Sequence, residues 1–289
     1  MTYCVGLLLN EGVVFASDSR TNAGVDYVTT YSKMHIFTPA SDRVFVLLSA
    51  GNLATTQEVI NHIQRDLDYP PSDGVNLATV RYLFEAAEYV GKISLKVQNL
   101  HRDALSTSGV SGETTLLLGG QIAGQAHGLK LIYPQGNYIG ASAETPYLQI
   151  GESKYGKPGM DRIVRPELSL DEGARLCLVS LDATTRSNIT VGPPFEVATY
   201  VKDSISLTNR CQFTDKDPFL MALRQSWNEG INRAFESLPT MNWGCASPSN
   251  PQLNLQPQQQ TQVQTQAQSQ AQQTSYPGFQ YGPAESASD

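Results

Sequence analysis

The chain has 289 residues, enough for one large domain or two small ones around a buried core. Its 20 basic and 27 acidic residues give a formal charge of −7, and a mildly acidic body offers no electrostatic footprint for nucleic acid or anionic lipid. No apolar run approaches the ~18 residues that span a bilayer. The apolar start at Thr2–Leu9 also lacks the preceding basic residue and following cleavage site of a secretory signal, so a cytoplasmic protein with no nucleic-acid and no membrane partner is expected.

The first fifty residues read as strands. Tyr3–Leu9 is apolar, Asn10-Glu11-Gly12 is a hairpin turn and Val13–Ser17 returns, followed by Tyr27–Thr30, Met34–Thr38 and Arg43–Ser49. A helix starts at Gly51-Asn52, with Asn52 as its cap and Val59, Ile60 and Ile63 on its apolar face, and stops at Tyr69-Pro70-Pro71. A second helix is expected over Leu77–His101. Strands resume at Glu113–Leu118, Gly124–Tyr133, Tyr138–Ala141 and Tyr147–Gly151, and a helix follows near Glu152–Ile163. Ser169 with Glu172 forms a capping box for the next helix. Strands Glu196–Val201 and Ser204–Phe213 and a helix over Asp217–Glu236 complete the order. Strands, two helices, strands, two helices, strands, helix is not the alternation of a doubly wound parallel fold. It suits an α+β fold of two stacked, mostly antiparallel sheets with helix pairs on both outer faces.

Composition changes near residue 245, dividing a folded domain at 1–245 from a tail at 246–289. Thirteen glutamines lie between Gln252 and Gln280, with too few apolar side chains to offset the entropy of ordering, so the tail is expected to be disordered. Its end, Tyr276-Pro277-Gly278-Phe279-Gln280-Tyr281, reads as a solvated terminus with the makings of a docking motif. Cys4, Cys177, Cys211 and Cys245 are too dispersed for a disulfide or zinc framework and read as small buried hydrophobes in a reducing compartment. His35, His62, His101 and His127 have no ligand spacing for a metal, and there is no GxSxG elbow.

The chemistry concentrates at the start of the chain. Threonine at position 2 is small enough for an aminopeptidase to remove Met1. The new N-terminus would then hold a hydroxyl nucleophile and its general base on one residue, because an α-amine titrates near ~8. Antiparallel pairing about the Asn10–Gly12 turn brings Asp18 close to Thr2. Lys33 opens a further strand, and its ammonium beside the nucleophile would lower the hydroxyl and amine pKa values, with Asp18 orienting it.

These residues carry a resemblance. Thr2, Asp18-Ser19-Arg20 sixteen residues later, Lys33, and Ser49-Ala50-Gly51 before the first helix resemble the proteasome β-type subunits, which are N-terminal nucleophile hydrolases. Lys33 lies one residue closer to the nucleophile than is usual there. Thr2-Tyr3-Cys4-Val5-Gly6, Phe15–Asp26, Gly151–Pro158 and Asp182–Pro194 resemble the bacterial branch called Anbu, and the likeness covers about Thr2–Leu238. It implies a four-layer αββα sandwich, with Thr2 as nucleophile, Lys33 and Asp18 as its electrostatic partners and the Gly51 N–H in an oxyanion hole. It implies that backbone at Thr21 aligns a peptide as an added strand, and that Ser49 and Leu53 shape the pocket before the scissile bond. Two motifs depart from the pattern. Gly151 is followed by Glu152-Ser153 where active subunits have Ser-Gly. Arg186-Ser187-Asn188-Ile189-Thr190-Val191 puts Ser187 where an aspartate orients the nucleophile, and Thr190 where a serine supports it. Glu152 would then supply some of the missing negative charge, with Arg20, Ser153 and Thr190 as supporting groups. The resemblance implies a peptide or small amide substrate and self-association into rings or open helical lock-washers. ATP-grasp or transglutaminase-like proteins are associated with the branch. The implied chemistry needs no cofactor and no metal. A scaffold that assembles without cleaving is the competing expectation.

Overall fold

A computed structural model describes residues 2–22, 28–72 and 74–241. A compact unit spans Met1–Ser237; of the second unit, Leu238–Asp289, only residues 238–241 are described. The expected boundary at 245, the tail, its aromatic end and Cys245 all lie outside the described residues.

Sequence alternation turns directly into layers. β1 (Tyr3–Leu9) and β2 (Gly12–Asp18) are buried on both faces, so both read as continuous apolar runs. Along β1 the side chains still divide with a period of two. Tyr3, Val5, Leu7 and Leu9 join one cluster, while Cys4 joins another. β1 pairs antiparallel with β2 and with β10 (Tyr147–Gly151), giving a five-stranded sheet in the order β10-β1-β2-β11-β12, with β11 at Phe195–Val201 and β12 at Leu207–Phe213. The second five-stranded antiparallel sheet runs β5-β6-β7-β8-β9. Its strands are Met34–Ala40, Arg43–Gly51, Thr114–Ile122, Gly128–Ile132 and Tyr138–Gly140. Between the sheets, Cys4, Phe15 and Tyr200 from the first pack with Leu48, Leu117 and Leu131 from the second. A short pair, β3 (Arg20–Asn22) with β4 (Val28–Thr30), stands apart from both.

The helices cover the other faces. α1 (Leu53–Asp68) and α2 (Leu83–Thr107) lay Val59, Ile63, Val90 and Val97 on Phe45, Leu47 and Leu118. α3 (Lys157–Ile163), α4 (Leu170–Ser187) and α5 (Pro218–Glu236) bring Met160, Leu176, Cys177, Leu181 and Leu220 onto Tyr3, Val5 and Leu7. No helix among the described residues is long and apolar enough to cross a membrane.

Local chemistry sets the helix ends. The Asn52 side chain accepts from the Thr55 N–H at 3.2 Å and donates to the Ser111 carbonyl at 3.1 Å. Ser169 and Glu172 cap α4 reciprocally. α2 begins six residues later than the periodicity predicts, at Leu83 rather than Leu77. Asn76 takes the preceding segment into a turn, accepting from the Ala78 N–H at 2.8 Å and donating to the Asp66 carbonyl at 2.8 Å. Leu77 and Val80 are buried from that turn, which is why they mimicked a helical face. α3 also starts late, at Lys157 with Pro158 in its first turn, so Glu152 and Ser153 lie on the loop before it. The cysteine expectation needs one correction: Cys4 and Cys177 are buried, but Cys211 is exposed, because β12 is an edge strand open to solvent along most of its length.

Asn52→Ala removes both a cap acceptor and a loop tether, and is expected to cost about 1 kcal/mol. Asn52→Asp keeps the acceptor and should lose less. Urea unfolding midpoints of the three proteins check this order.

Candidate active site

The hairpin register decides where Asp18 falls. Cys4 pairs with Ser17, which sets Tyr3 opposite Asp18 at the end of β2. The Asp18 carboxylate is fully buried and accepts the Tyr3 N–H at 3.0 Å and the Gly192 N–H at 3.2 Å on its two oxygens. Lys33 arrives from the other sheet, immediately before β5. Its ammonium meets Asp18 Oδ1 at 2.6 Å and donates to the Arg20 carbonyl at 2.7 Å, and the residue is only 5% exposed. The Lys33 carbonyl in turn accepts the Ser49 N–H at 3.0 Å, which ties the lysine to β6. Burial pushes the Asp18 carboxyl pKa up, and the Lys33 ammonium and the two backbone N–H groups pull it back down.

Thr2, half-buried, is clamped through its backbone. Its carbonyl accepts the Glu152 N–H at 2.7 Å, while the next N–H, that of Tyr3, is held by Asp18. Gly151 makes the clamp possible. It sits at φ +79°, and a Cβ there would lie 1.9 Å from the Thr2 carbonyl oxygen, so only glycine allows this approach. Glu152 is 8% exposed. Its carboxylate accepts from the Asn188 side-chain amide at 3.0 Å, and Lys154 lies at 3.5 Å. Asn188 is fixed by Thr190, whose N–H and hydroxyl both donate to the Asn188 side-chain oxygen at 3.0 and 2.6 Å.

The remaining residues named from the sequence fall as follows. Gly51 ends β6 at φ +122° beside Glu113, and Leu53 is the half-buried first residue of α1. Ser49 is buried on β6, and its carbonyl accepts the Cys4 thiol at 3.7 Å. Burial pushes that thiol well up, so Cys4 serves as packing rather than as a reactive thiol. Thr21 is half-buried on β3 and pairs with Thr29. Arg20 reaches the Ile189 carbonyl at 2.8 Å, and its N–H donates to the Gly192 carbonyl at 3.3 Å. Ser187, in contrast, is exposed at the last residue of α4, and its hydroxyl makes no hydrogen bond among the described residues. The Ser153 hydroxyl is likewise without one. The structure therefore brings Thr2, Asp18, Lys33, Arg20, Glu152 and Thr190 into one network and leaves Ser187 outside it. Sequence reading missed three contributors: the Tyr3 N–H, the Gly192 N–H and Asn188. The first was implicit in the hairpin register. Asn188 lies one residue from the position chosen by motif alignment, at the point where α4 ends. Cavities of about 690 Å³ against α1 and α2 and 460 Å³ against α4 and α5 lie elsewhere and share no residue with this network.

Two antiparallel sheets packed face to face, carrying a buried Asp–Lys pair beside a threonine at position 2, define a proteasome β-subunit-like α+β protein. No protein-family model matches the chain, and no curated protein sequence does. Solved structures do. Anbu, the ancestral β-subunit, from Yersinia bercovieri is 44% identical over 84% of this chain and 100% of its own, with a TM-score of 0.78. The structure of the helical assembly of the Anbu complex from Pseudomonas aeruginosa is 41% identical over 84% of this chain and 99% of its own, at 0.77. Anbu from Hyphomicrobium sp. strain MC1 is 38% identical over 83% of this chain and 100% of its own, at 0.75. The chain belongs to the Anbu family.

Lys33→Met leaves the Asp18 carboxylate buried with only two backbone donors, and is expected to cost about 3–5 kcal/mol near neutral pH. Without the ammonium, the pKa of Asp18 in the folded protein rises further above the unfolded value of about 3.9. A raised folded pKa favours the folded state at low pH and loses that advantage as pH rises, so the deficit should shrink as pH falls toward ~4. Denaturant unfolding of wild type and variant across that range measures it.

Proposed function

We propose that this protein is a threonine-type peptidase or amidohydrolase, in which removal of Met1 exposes Thr2 as an N-terminal nucleophile. The observation that carries the reading is the buried Asp18–Lys33 pair set against the backbone of Thr2. Two charges withdrawn from water are a poor source of stability compared with apolar packing. Their cost is understandable if the ammonium acts on the neighbouring hydroxyl and amine. The layering of the three apolar clusters supports the four-layer αββα reading.

In the proposed cycle the Thr2 α-amine takes the hydroxyl proton as Oγ1 attacks the substrate carbonyl carbon. The developing oxyanion is met by the Gly51 N–H, and Lys33 lowers the energy of the alkoxide. Collapse breaks the C–N bond, and the ammonium returns its proton to the leaving amine. Water then attacks the Thr2 ester with the same amine as base, releasing the acid and restoring the hydroxyl. Thr21 on its short strand offers backbone for an extended peptide, and Ser49 with Leu53 would bound a pocket for a modest apolar side chain. The substrate is a peptide or small amide, and no cofactor enters these steps. Assembly of identical subunits is supported by the helical assembly of the Pseudomonas relative. The free, buried thiols of Cys4 and Cys177 support a cytoplasmic setting.

The test begins with the intact mass. Wild type should be lighter than its full sequence by one methionine residue and should be acylated at Thr2 by an electrophilic peptide probe such as a β-lactone. Thr2→Ala should lose turnover of amide substrates by roughly a thousandfold or more. Retention of Met1, or full turnover by Thr2→Ala, overturns the hydrolase reading in favour of an assembling scaffold.

A further inference from the structure

We propose that Asn188 is a positioning residue that aims the Glu152 carboxylate at the Thr2 α-amine, so that Glu152 serves as the counter-charge of the Thr2 ammonium formed in each cycle. The inference rests on the reading of Thr2 as an N-terminal nucleophile.

Three features lead to it. Glu152 stands directly beside Thr2, because its N–H donates to the Thr2 carbonyl at 2.7 Å in continuation of the pairing that sets Tyr3 against Gly151. That bond brings the root of the Glu152 side chain next to the Thr2 backbone. Glu152 is also one of only a few carboxylates among the described residues that are nearly buried, and a carboxylate taken from water needs cationic or N–H partners. Finally, the orientation of Asn188 has only one consistent solution. Its oxygen accepts two hydrogen bonds from Thr190, which forces its NH₂ toward Glu152 Oε2 at 3.0 Å; a flipped amide would set oxygen against carboxylate. Asn188 can therefore hold Glu152 in one rotamer without neutralising it, which an arginine or lysine at that place would do.

The charged groups around the site then divide by sign. Lys33 lies on the Asp18 side of Thr2 and disfavours a second cation at the amine. Lys154, on the Glu152 loop, approaches Oε1 at 3.5 Å with its side chain largely in water, so it is well screened. Arg20 is committed to the Ile189 carbonyl, next to Asn188 in sequence. Asp18 is spent on Lys33 and two backbone donors. That leaves Glu152 as the proposed counter-charge of the amine. When the hydroxyl proton moves to the amine, the new N–H⁺ donates to Glu152; when the leaving amine departs, the same proton goes to it, and Glu152 keeps its charge throughout. Lys33 and Glu152 pull the amine pKa in opposite directions, which lets the group act as base in one half-step and acid in the next.

The test reads the amine itself and needs no turnover. The pH dependence of α-amine acylation by an amine-reactive ester, followed by peptide mass spectrometry, gives its pKa in wild type, Glu152→Gln, Asn188→Ala and Thr190→Val. Glu152→Gln should lower the pKa by about one unit, a tenfold gain in neutral amine below that pKa. Asn188→Ala should give part of that shift in the same direction, and Thr190→Val a smaller part. Asn188→Asp, which sets a second carboxylate against Glu152, should make the amine titration biphasic. Thermal midpoints of all variants are recorded alongside. If the midpoints fall while the amine pKa stays at the wild-type value in Glu152→Gln and Asn188→Ala, the Asn188–Glu152 contact is a structural hydrogen bond and the proposal is wrong. If the labelled amine proves to belong to Met1, the nucleophile reading and this proposal fall together, a result that the mass of the labelled peptide distinguishes from the former.

Discussion

Asp18 is a carboxylate with no access to water, placed at the end of a strand whose every residue is buried. It is tolerable there only because an ammonium from the opposite sheet and two backbone N–H groups converge on it. Much of the geometry around Thr2 follows from this one requirement. Lys33 must lie between the end of β2 and the start of β5, so the two sheets are joined at that edge by a charge pair. Gly192 must present its N–H to Asp18, which fixes the loop after α4. The Tyr3 N–H must turn toward Asp18, which fixes the backbone one residue beyond Thr2. A buried pair of this kind contributes little net stability, yet losing one partner is costly, so it enforces a single arrangement of three chain segments.

Part of this was legible in the sequence because it depends on local rules. A hairpin about Asn10–Gly12 can place Asp18 in only one way relative to Thr2, and counting residues across the turn is enough to find it. The caps at Asn52 and Ser169 were legible for the same reason: each side chain bonds its own backbone within a few residues. What escaped depends on segments distant in sequence. Leu77 and Val80 have helical spacing, but Asn76 fastens their segment to the end of α1 through the Asp66 carbonyl, and that bond overrode the periodic signal. Asn188 and Glu152 are separated by 36 positions, and nothing in either local motif says that they meet. Motif alignment pointed to Ser187, which the end of α4 leaves in solvent, and the residue that turns inward is the next one.

That one-residue difference matters chemically. Ser187, at the aligned position, is exposed and brings no negative charge to the network. In the proposed arrangement the charge comes by another route, from the loop before α3 rather than from the end of α4. In that arrangement Glu152 brings the carboxylate and Asn188 its orientation. Asn188 is in turn held from behind by the N–H and hydroxyl of Thr190.

Thr2 itself is held by main chain on both sides, through the Glu152 N–H and the Asp18-bound Tyr3 N–H, and Gly151 is what lets the two strands come close enough. Position and electrostatics are therefore set by different atoms. The location of Thr2 depends on backbone contacts that survive most side-chain changes. In the proposed reaction its reactivity depends on the balance between Lys33 on one flank and Glu152 on the other. On that proposal, changing a single charged side chain would alter activity without disturbing the architecture. On the proposed reading, those two flanking charges, rather than the shared fold, set the strength of the reaction.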